Sequence, residues 1–100
     1  MIKATVLYGP PADAPAFEEH YLKTHVPLAE TIPGVHRFET SKVLGAGDGG
    51  EAPYHRIAEM WFESPETMRA SMTSEEGRAT NADVANFATG GVTIVISAVD

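Results

Sequence analysis

Phe17-Glu18-Glu19-His20-Tyr21-Leu22-Lys23-Thr24-His25-Val26-Pro27-Leu28-Ala29 sets the pattern around which the remaining segments arrange themselves. Phe17, Tyr21, His25, Leu28 and Ile32 follow one another at spacings of four, four, three and four. At about 100° per residue they form one narrow stripe, so the stretch is an amphipathic helix with His25 among its core-facing positions. Glu19 and Lys23 lie on the opposite, wet side, and His20 falls on the flank of the stripe. Asp13 caps the helix, and Pro15 is tolerated in its first turn. Pro27 cannot donate a backbone N–H and denies the Lys23 carbonyl its usual partner, so a kink or restart is expected there.

On either side of this helix the chain alternates as strands do. Ile2 to Tyr8 ends at the turn signal Gly9-Pro10-Pro11 and reads as strand one, with Ile2, Ala4, Val6 and Tyr8 on one face. After Pro33-Gly34, Val35 to Leu44 reads as strand two, with His36 and Phe38 on one face and Arg37 and Glu39 on the other. Gly45 to Pro53 is a flexible hairpin-type connection whose glycine spacing fits no phosphate motif. Tyr54 to Glu63 reads as strand three, with Ala58, Met60 and Phe62 opposite Ile57, Glu59 and Trp61. Ser64-Pro65-Glu66 starts a helix carrying Met68 and Met72. Ser74-Glu75-Glu76 starts another helical piece, which reaches Val84 and Phe87 and ends near Ala88. Gly90-Gly91 releases the chain into Val92 to Val99, a last strand apolar on both faces.

The order strand, helix, strand, strand, helix, strand is met by an α+β, ferredoxin-like βαββαβ protomer. Its four-stranded antiparallel sheet carries both helical units on one face. The second face then presents Ile57, Trp61, Thr93, Val95 and Val99, too large an apolar patch for a monomer. A homodimer with its two sheets packed together is expected, with Lys3, Arg37, Glu39 and Glu59 paired or wet near the seam.

The chain's 100 residues are the size of one domain, taken as residues 1–100, and 43% hydrophobic content is ordinary for a soluble protein. Seven basic against fourteen acidic residues give a formal charge of −7, which argues against nucleic acid and anionic membrane as partners. No apolar run approaches the ~18 residues of a membrane span. The N-terminus is too short and too regularly patterned for a signal peptide, so a cytoplasmic location is expected. The absence of cysteine removes disulfides, thiolate chemistry and cysteine-held metals. Residues 20 and 25 are five apart, not the three or four that two ligands on one helical face require, so no metal site is expected. No glycine-rich strand-to-helix turn supports a nicotinamide or flavin cofactor.

The same residues resemble the EthD family of the dimeric α+β barrel superfamily. The likeness rests on Phe17 to Ala29, above all on Tyr21, His25 and Pro27-Leu28-Ala29, then on Pro33-Gly34, on Ala58-Glu59-Met60-Trp61-Phe62-Glu63-Ser64, and on Asp83 to Phe87. It covers nearly the whole chain in order. The resemblance implies a barrel-forming dimer with a cleft between helices and sheet, in a family associated with fuel-ether degradation whose members are often labelled reductases. Superfamily relatives include cofactor-independent monooxygenases, lactone isomerases and polyketide cyclases, so the architecture is implied more firmly than the reaction.

The candidate catalytic residues are His25 as general acid or base, Tyr21 as its orienting neighbour one turn earlier, and Asp83 as the carboxylate holding a histidine tautomer. Each has a plainer reading: a core histidine, a tyrosine with its hydroxyl at the rim, an exposed helix acid. Tyr8, Phe38, Met60 and Phe87 are the candidate substrate-binding residues, with core filling as their alternative. His36 and His55 are expected at surface or edge positions. The function expected is a small enzyme acting on a hydrophobic, oxygen-bearing organic molecule; the alternative is a non-catalytic binding module of the same fold.

Overall fold

The computed structural model describes residues 1–100 and places β1 at Ile2–Tyr8, β2 at Arg37–Lys42, β3 at Arg56–Phe62 and β4 at Val92–Ala98. The strands lie in the order β2-β3-β1-β4, every neighbouring pair antiparallel. The topology is ferredoxin-like, with β1 and β3 central. Strand parity sends Ala4, Val6 and Tyr8 of β1 and Ala58, Met60 and Phe62 of β3 to one side, where all six are buried.

Helices α1 (Ala14–His20), α2 (Val26–Ala29), α3 (Pro65–Met72) and α4 (Glu75–Asp83) form the helical units. The expected caps are in place. Asp13 accepts from the Ala16 amide at 3.0 Å, Ser64 from Thr67 at 3.1 Å and Ser74 from Gly77 at 3.0 Å. Two contiguous apolar clusters join sheet to helices. One gathers Val6, Tyr8, Phe17, Tyr21, Ala58 and Phe87, the other Ala4, Ala29, Ile32, Met60 and Phe62.

Four expectations change. The regular ladders of β2 and β3 are shorter than Val35–Leu44 and Tyr54–Glu63, although single bonds from His36 to Trp61 and from Val43 to His55 extend the pairing. The late helical piece stops at Asp83 and finishes in one 3₁₀ turn, Val84–Asn86, instead of running to Ala88. Leu28 is only half-buried and Ala29 takes its place in the core, because the helix widens before Pro27 and the residues after it are rotated.

The fourth change concerns β4. Parity puts Val92, Ile94 and Ile96 on the helix side, level with Tyr8, Val6 and Ala4, yet they stay 41%, 54% and 52% exposed. The helices rest over β1 and β3 and stop short of this edge. Val95 and Val99, on the far side, are 46% and 42% exposed. Uncovered apolar surface therefore wraps both faces of the β4 edge, where one face was expected. On the outer face Lys3 pairs with Glu59 at 3.1 Å and Arg37 with Glu39 at 2.8 Å, and both cations sit over the Trp61 ring. No helix is long and apolar enough to cross a membrane.

Candidate functional site

Between α1 and α2 the helix makes one π turn, Tyr21–His25. The Val26 amide reaches back to the Tyr21 carbonyl, five residues away instead of four. Pro27 is the local cause: in a regular helix its ring would meet the Lys23 carbonyl, whereas in the first turn of a restarted helix its missing N–H matters little. The wider turn has a geometric result. In an uninterrupted α-helix residues 20 and 25 point about 140° apart. The π turn brings residues five apart toward one face, and both histidines reach the same carboxylate.

That carboxylate is Asp83, the last residue of α4 and buried. It accepts from His25 Nδ1 at 2.9 Å, from His20 Nε2 at 2.9 and 3.0 Å, and from Asn86 Nδ2 at 2.9 Å. An ionised carboxylate has no proton to give, so His25 carries its proton on Nδ1 and presents Nε2 away from Asp83. The Tyr8 hydroxyl lies 3.4 Å from that Nε2, a long contact that an incoming group can displace. Burial lowers the pKa of His25, opposed by its bond to Asp83 and reinforced by His20. Burial alone would raise the pKa of Asp83, but the bonds from Asn86, His20 and His25 hold it below the usual carboxylate value. Burial pushes the Tyr8 phenol well upward, aided by Tyr21 and Asp83, so Tyr8 remains an O–H donor. Near neutral pH the site holds a neutral imidazole with a free Nε2 lone pair, a neutral phenol and an ionised carboxylate. Both imidazoles meet Asp83 at hydrogen-bond distance, so the carboxylate is shared between them.

His25 and Tyr8 line a cavity of about 80 Å³ between sheet and helices, whose other polar residues are Thr80 and Asn81. Phe38, Met60, Met72 and Ile94 are among its apolar walls, and it extends toward the open β4 edge. Of the expected ligand-binding residues, Tyr8, Phe38 and Met60 line this space. Phe87 does not: it packs behind His25, ring centroids 4.6 Å apart, and fixes that ring from the far side. Tyr21 is also outside the cavity. Its ring stacks on His25 at 5.7 Å, but its hydroxyl is bound to Thr40 of β2, so it packs against the imidazole without a hydrogen bond to it. Asp83 is paired and buried, not an exposed helix acid.

Sequence reasoning set His20 at the margin because it used the α-helical period; the conflict with the regular ladder at Pro27 was the available clue. His36 is exposed, as an edge position should be. His55 is not a surface residue: its side chain is 13% exposed, bonded to Glu18 at 3.0 Å and edge-on to Phe17 at 4.7 Å. Glu18 also holds Arg56 in a two-bond contact at 2.7 and 3.1 Å, and Arg56 lies over the Tyr21 ring. These bonds raise the Arg56 pKa and lower that of Glu18, each led by the hydrogen bond between them. The cluster ties α1 to the start of β3; nothing in the local sequence pairs residue 18 with residues 55 and 56.

An antiparallel sheet backed by helices, with a largely apolar cavity between the layers, defines a ferredoxin-like α+β protein. Solved structures agree. The chain matches a dimeric ferredoxin-like protein of unknown function from Thermobifida fusca, 19% identical over 98% of this chain and 90% of that one, with a TM-score of 0.75. It is 33% identical to an ethyl tert-butyl ether (EthD) family protein from Bacillus halodurans, over 100% of this chain and 99% of that one, with a TM-score of 0.93. An uncharacterised 11.0 kDa protein of the thcB–thcC intergenic region of Rhodococcus erythropolis is 42% identical over 97% of this chain and 93% of its own length. Residues 9–91 match the EthD domain, and the chain belongs to the EthD family.

Proposed function

We propose that the protein is a small homodimeric enzyme that transfers a proton on a hydrophobic, oxygen-bearing organic molecule, with His25 as the acid–base group. The observation that carries this reading is a single one: His25 lines the cavity beside Tyr8 while its Nδ1 is held on a buried carboxylate at 2.9 Å, which leaves Nε2 as the nitrogen not bound to Asp83. Such an imidazole is oriented, has one tautomer, and can take a proton at its free nitrogen. The Tyr8 hydroxyl beside it is the donor for the ligand's oxygen. Acceptance of a proton from a carbon next to a carbonyl, or from a phenol or enol, uses both groups as they stand. Isomerisation and cyclisation are reactions that such a proton transfer serves.

The cavity of about 80 Å³ is smaller than the ~150 Å³ that admits benzene to a dry protein core. A ligand of one ring or more therefore extends onto Val92 and Ile94 at the open edge. Sheet-to-sheet pairing of two copies is the arrangement that the outer-face apolar residues favour, and it accords with the dimeric relatives. A cytoplasmic setting suits the cysteine-free composition. Binding without turnover is the second reading, favoured by the mostly apolar lining.

Deuterium exchange into a β-diketone or a phenyl-substituted lactone, followed by proton NMR in D₂O, tests the reading. Wild-type protein should speed loss of the acidic C–H signal, and His25→Gln should abolish the acceleration while leaving the fold intact. Equal acceleration by the two proteins removes His25 from the chemistry; ligand-induced shifts without exchange favour the binding module.

A further inference from the structure

Of the thirteen residues that line the cavity, three are exposed: Asn81, Val92 and Ile94. They mark its mouth. Val92 stands opposite Tyr8 and Ile94 opposite Val6 in the β1–β4 ladder, so the mouth lies one strand spacing, about 4.8 Å, from the line of β1. The inner polar side chains are already engaged. His25 Nδ1 is on Asp83 at 2.9 Å, its Nε2 is in long contact with the Tyr8 hydroxyl at 3.4 Å, and the Thr80 hydroxyl donates to the Glu76 carbonyl at 2.8 Å. Asn81 differs from its helix neighbours Thr80 and Asp83 in that no group of the protein bonds its side-chain amide. We propose that Asn81 is the cavity's second polar anchor: its amide hydrogen-bonds an oxygen at the outer end of the ligand, which therefore carries two oxygen functions with an apolar unit about one ring wide between them.

Helical phase delivers the amide to this place. At about 100° per residue, Asp83 lies about 60° to one side of the buried Thr80 and Asn81 about 100° to the other. One flank of α4 therefore holds His25 through Asp83, while the other carries Asn81 to solvent at the mouth. An exposed asparagine on most helix faces meets only water. Here it stands where a ligand too large for about 80 Å³ must emerge, beside two exposed aliphatic side chains. Its amide offers both a donor and an acceptor at that point. Water can reach the amide when the ligand lacks the oxygen, so discrimination should be about two- to tenfold, far below that of a sealed polar site.

The ligand class follows from the order of groups. A carbonyl or enol oxygen meets Tyr8 and His25 inside, a flat apolar unit fills the space along Met60 and Phe38, and an outer ether, carbonyl or hydroxyl oxygen reaches Asn81. Aryl β-dicarbonyls and aryl lactones that carry an oxygen on the far side of the ring have this order. The assignment rests on the reading of the His25 end as the reacting end, but its test measures binding and not turnover.

The test is an NMR titration of the ¹⁵N-labelled full chain with two probes of equal size, para-methoxybenzoylacetone and para-ethylbenzoylacetone, in which a methylene replaces the ether oxygen. Between wild type and Asn81→Leu, the ratio of methoxy to ethyl affinity should fall about two- to tenfold. In the wild type the Asn81 side-chain NH₂ signals should move further with the methoxy probe. Asn81 is exposed and unbonded, and leucine is the better helix former, so the variant should keep its native spectrum. An equal affinity ratio in the two proteins, or equal movement of the Asn81 signals with both probes, overturns the assignment. Deuterium exchange into the same diketones separates it from the catalytic reading. An equal ratio beside exchange that His25→Gln abolishes removes Asn81 alone. A changed ratio without His25-dependent exchange keeps the anchor and sinks the base. Failure of both probes to shift the cavity's residues overturns both.

Discussion

Replacing Asp83 with asparagine changes one atom and should change both stability and the identity of the nitrogen in the cavity. Asp83 receives N–H groups from His20, His25 and Asn86, all within 3.0 Å. Asparagine has one carbonyl oxygen and, in place of the other, an NH₂ group. At least one imidazole N–H must then face a donor or turn over its tautomer. Loss of one hydrogen bond to a buried charged acceptor costs about 1.5–3 kcal/mol. At about 4–8 °C per kcal/mol for a domain of this size, the thermal midpoint should fall by roughly 6–24 °C.

If His25 responds by moving its proton to Nε2, the lost bond is partly recovered, but the cavity then meets a donor where it had an acceptor. The fall lies at the low end of that range in this case, and proton abstraction is lost even in folded protein. Circular dichroism melts at pH 7.5 measure the first effect, and imidazole ¹⁵N shifts report which nitrogen is protonated. A midpoint within about 2 °C of wild type, together with an unchanged Nδ1–H tautomer, would refute the assignment of Asp83 as the group that fixes His25.

Four further outcomes are expected. The pKa of His25 is lowered below 6.5 in the folded protein, so the unfolded chain binds the extra proton first and stability should fall as pH drops below about 6.5, flattening beneath the folded value; His25→Gln should lack this portion of the loss in melts from pH 7.5 to 5. Asp83 acts in the usual carboxylate sense, adding stability that is present above 3.8 and lost as pH falls through its lowered folded value, so acid should expose a second decline that Asp83→Asn lacks. Gly77→Ala should destabilise by about 1–3 kcal/mol despite alanine's ~1 kcal/mol advantage in a helix, because the new Cβ would lie 2.2 Å from the Ser71 carbonyl oxygen and 2.9 Å from Met72 Cα, backbone atoms that cannot rotate aside; denaturant midpoints decide. Val95→Glu places a charge on the outer face of β4, where the residue is 46% exposed, and should convert a dimer to folded monomer by light scattering; a dimer of undiminished affinity would move the interface elsewhere.

The sheet was legible because strand side chains alternate with a period of two: parity alone assigned Ala4, Val6, Tyr8, Ala58, Met60 and Phe62 to one face, and all six are buried there. The caps at Asp13, Ser64 and Ser74 were legible because capping is a local bond. The burial of His25 was legible from its place on the helix stripe. Three features depend on tertiary placement and were not. Arg56 meets Glu18 only once β3 pairs with β1, Tyr8 opposite Arg56. Tyr21 finds Thr40 on β2 rather than a group on its own helix. The exposure of Val92, Ile94 and Ile96 depends on where the helices come to rest, and no property of β4 itself carries that information.

His20 belongs to a different kind of gap. The residues that decide its position were all in view, and the arithmetic applied to them assumed 3.6 residues per turn. A proline at position 27 does not dictate a π turn; it dictates only that the regular ladder must fail nearby. The wider turn is the one that brings both rings to Asp83, itself held by Asn86, so one anion on the far side of the contact favours it. Local backbone conflict supplies the freedom and a distant carboxylate supplies the preference, so the irregular turn and the two-histidine cluster are one feature. Removal of the carboxylate's charge should therefore loosen the turn itself. In Asp83→Asn, amide exchange at Val26, whose N–H spans the π turn to Tyr21, should quicken relative to the β1 and β3 amides. Retained protection at Val26 would mean that Pro27 alone sets the turn.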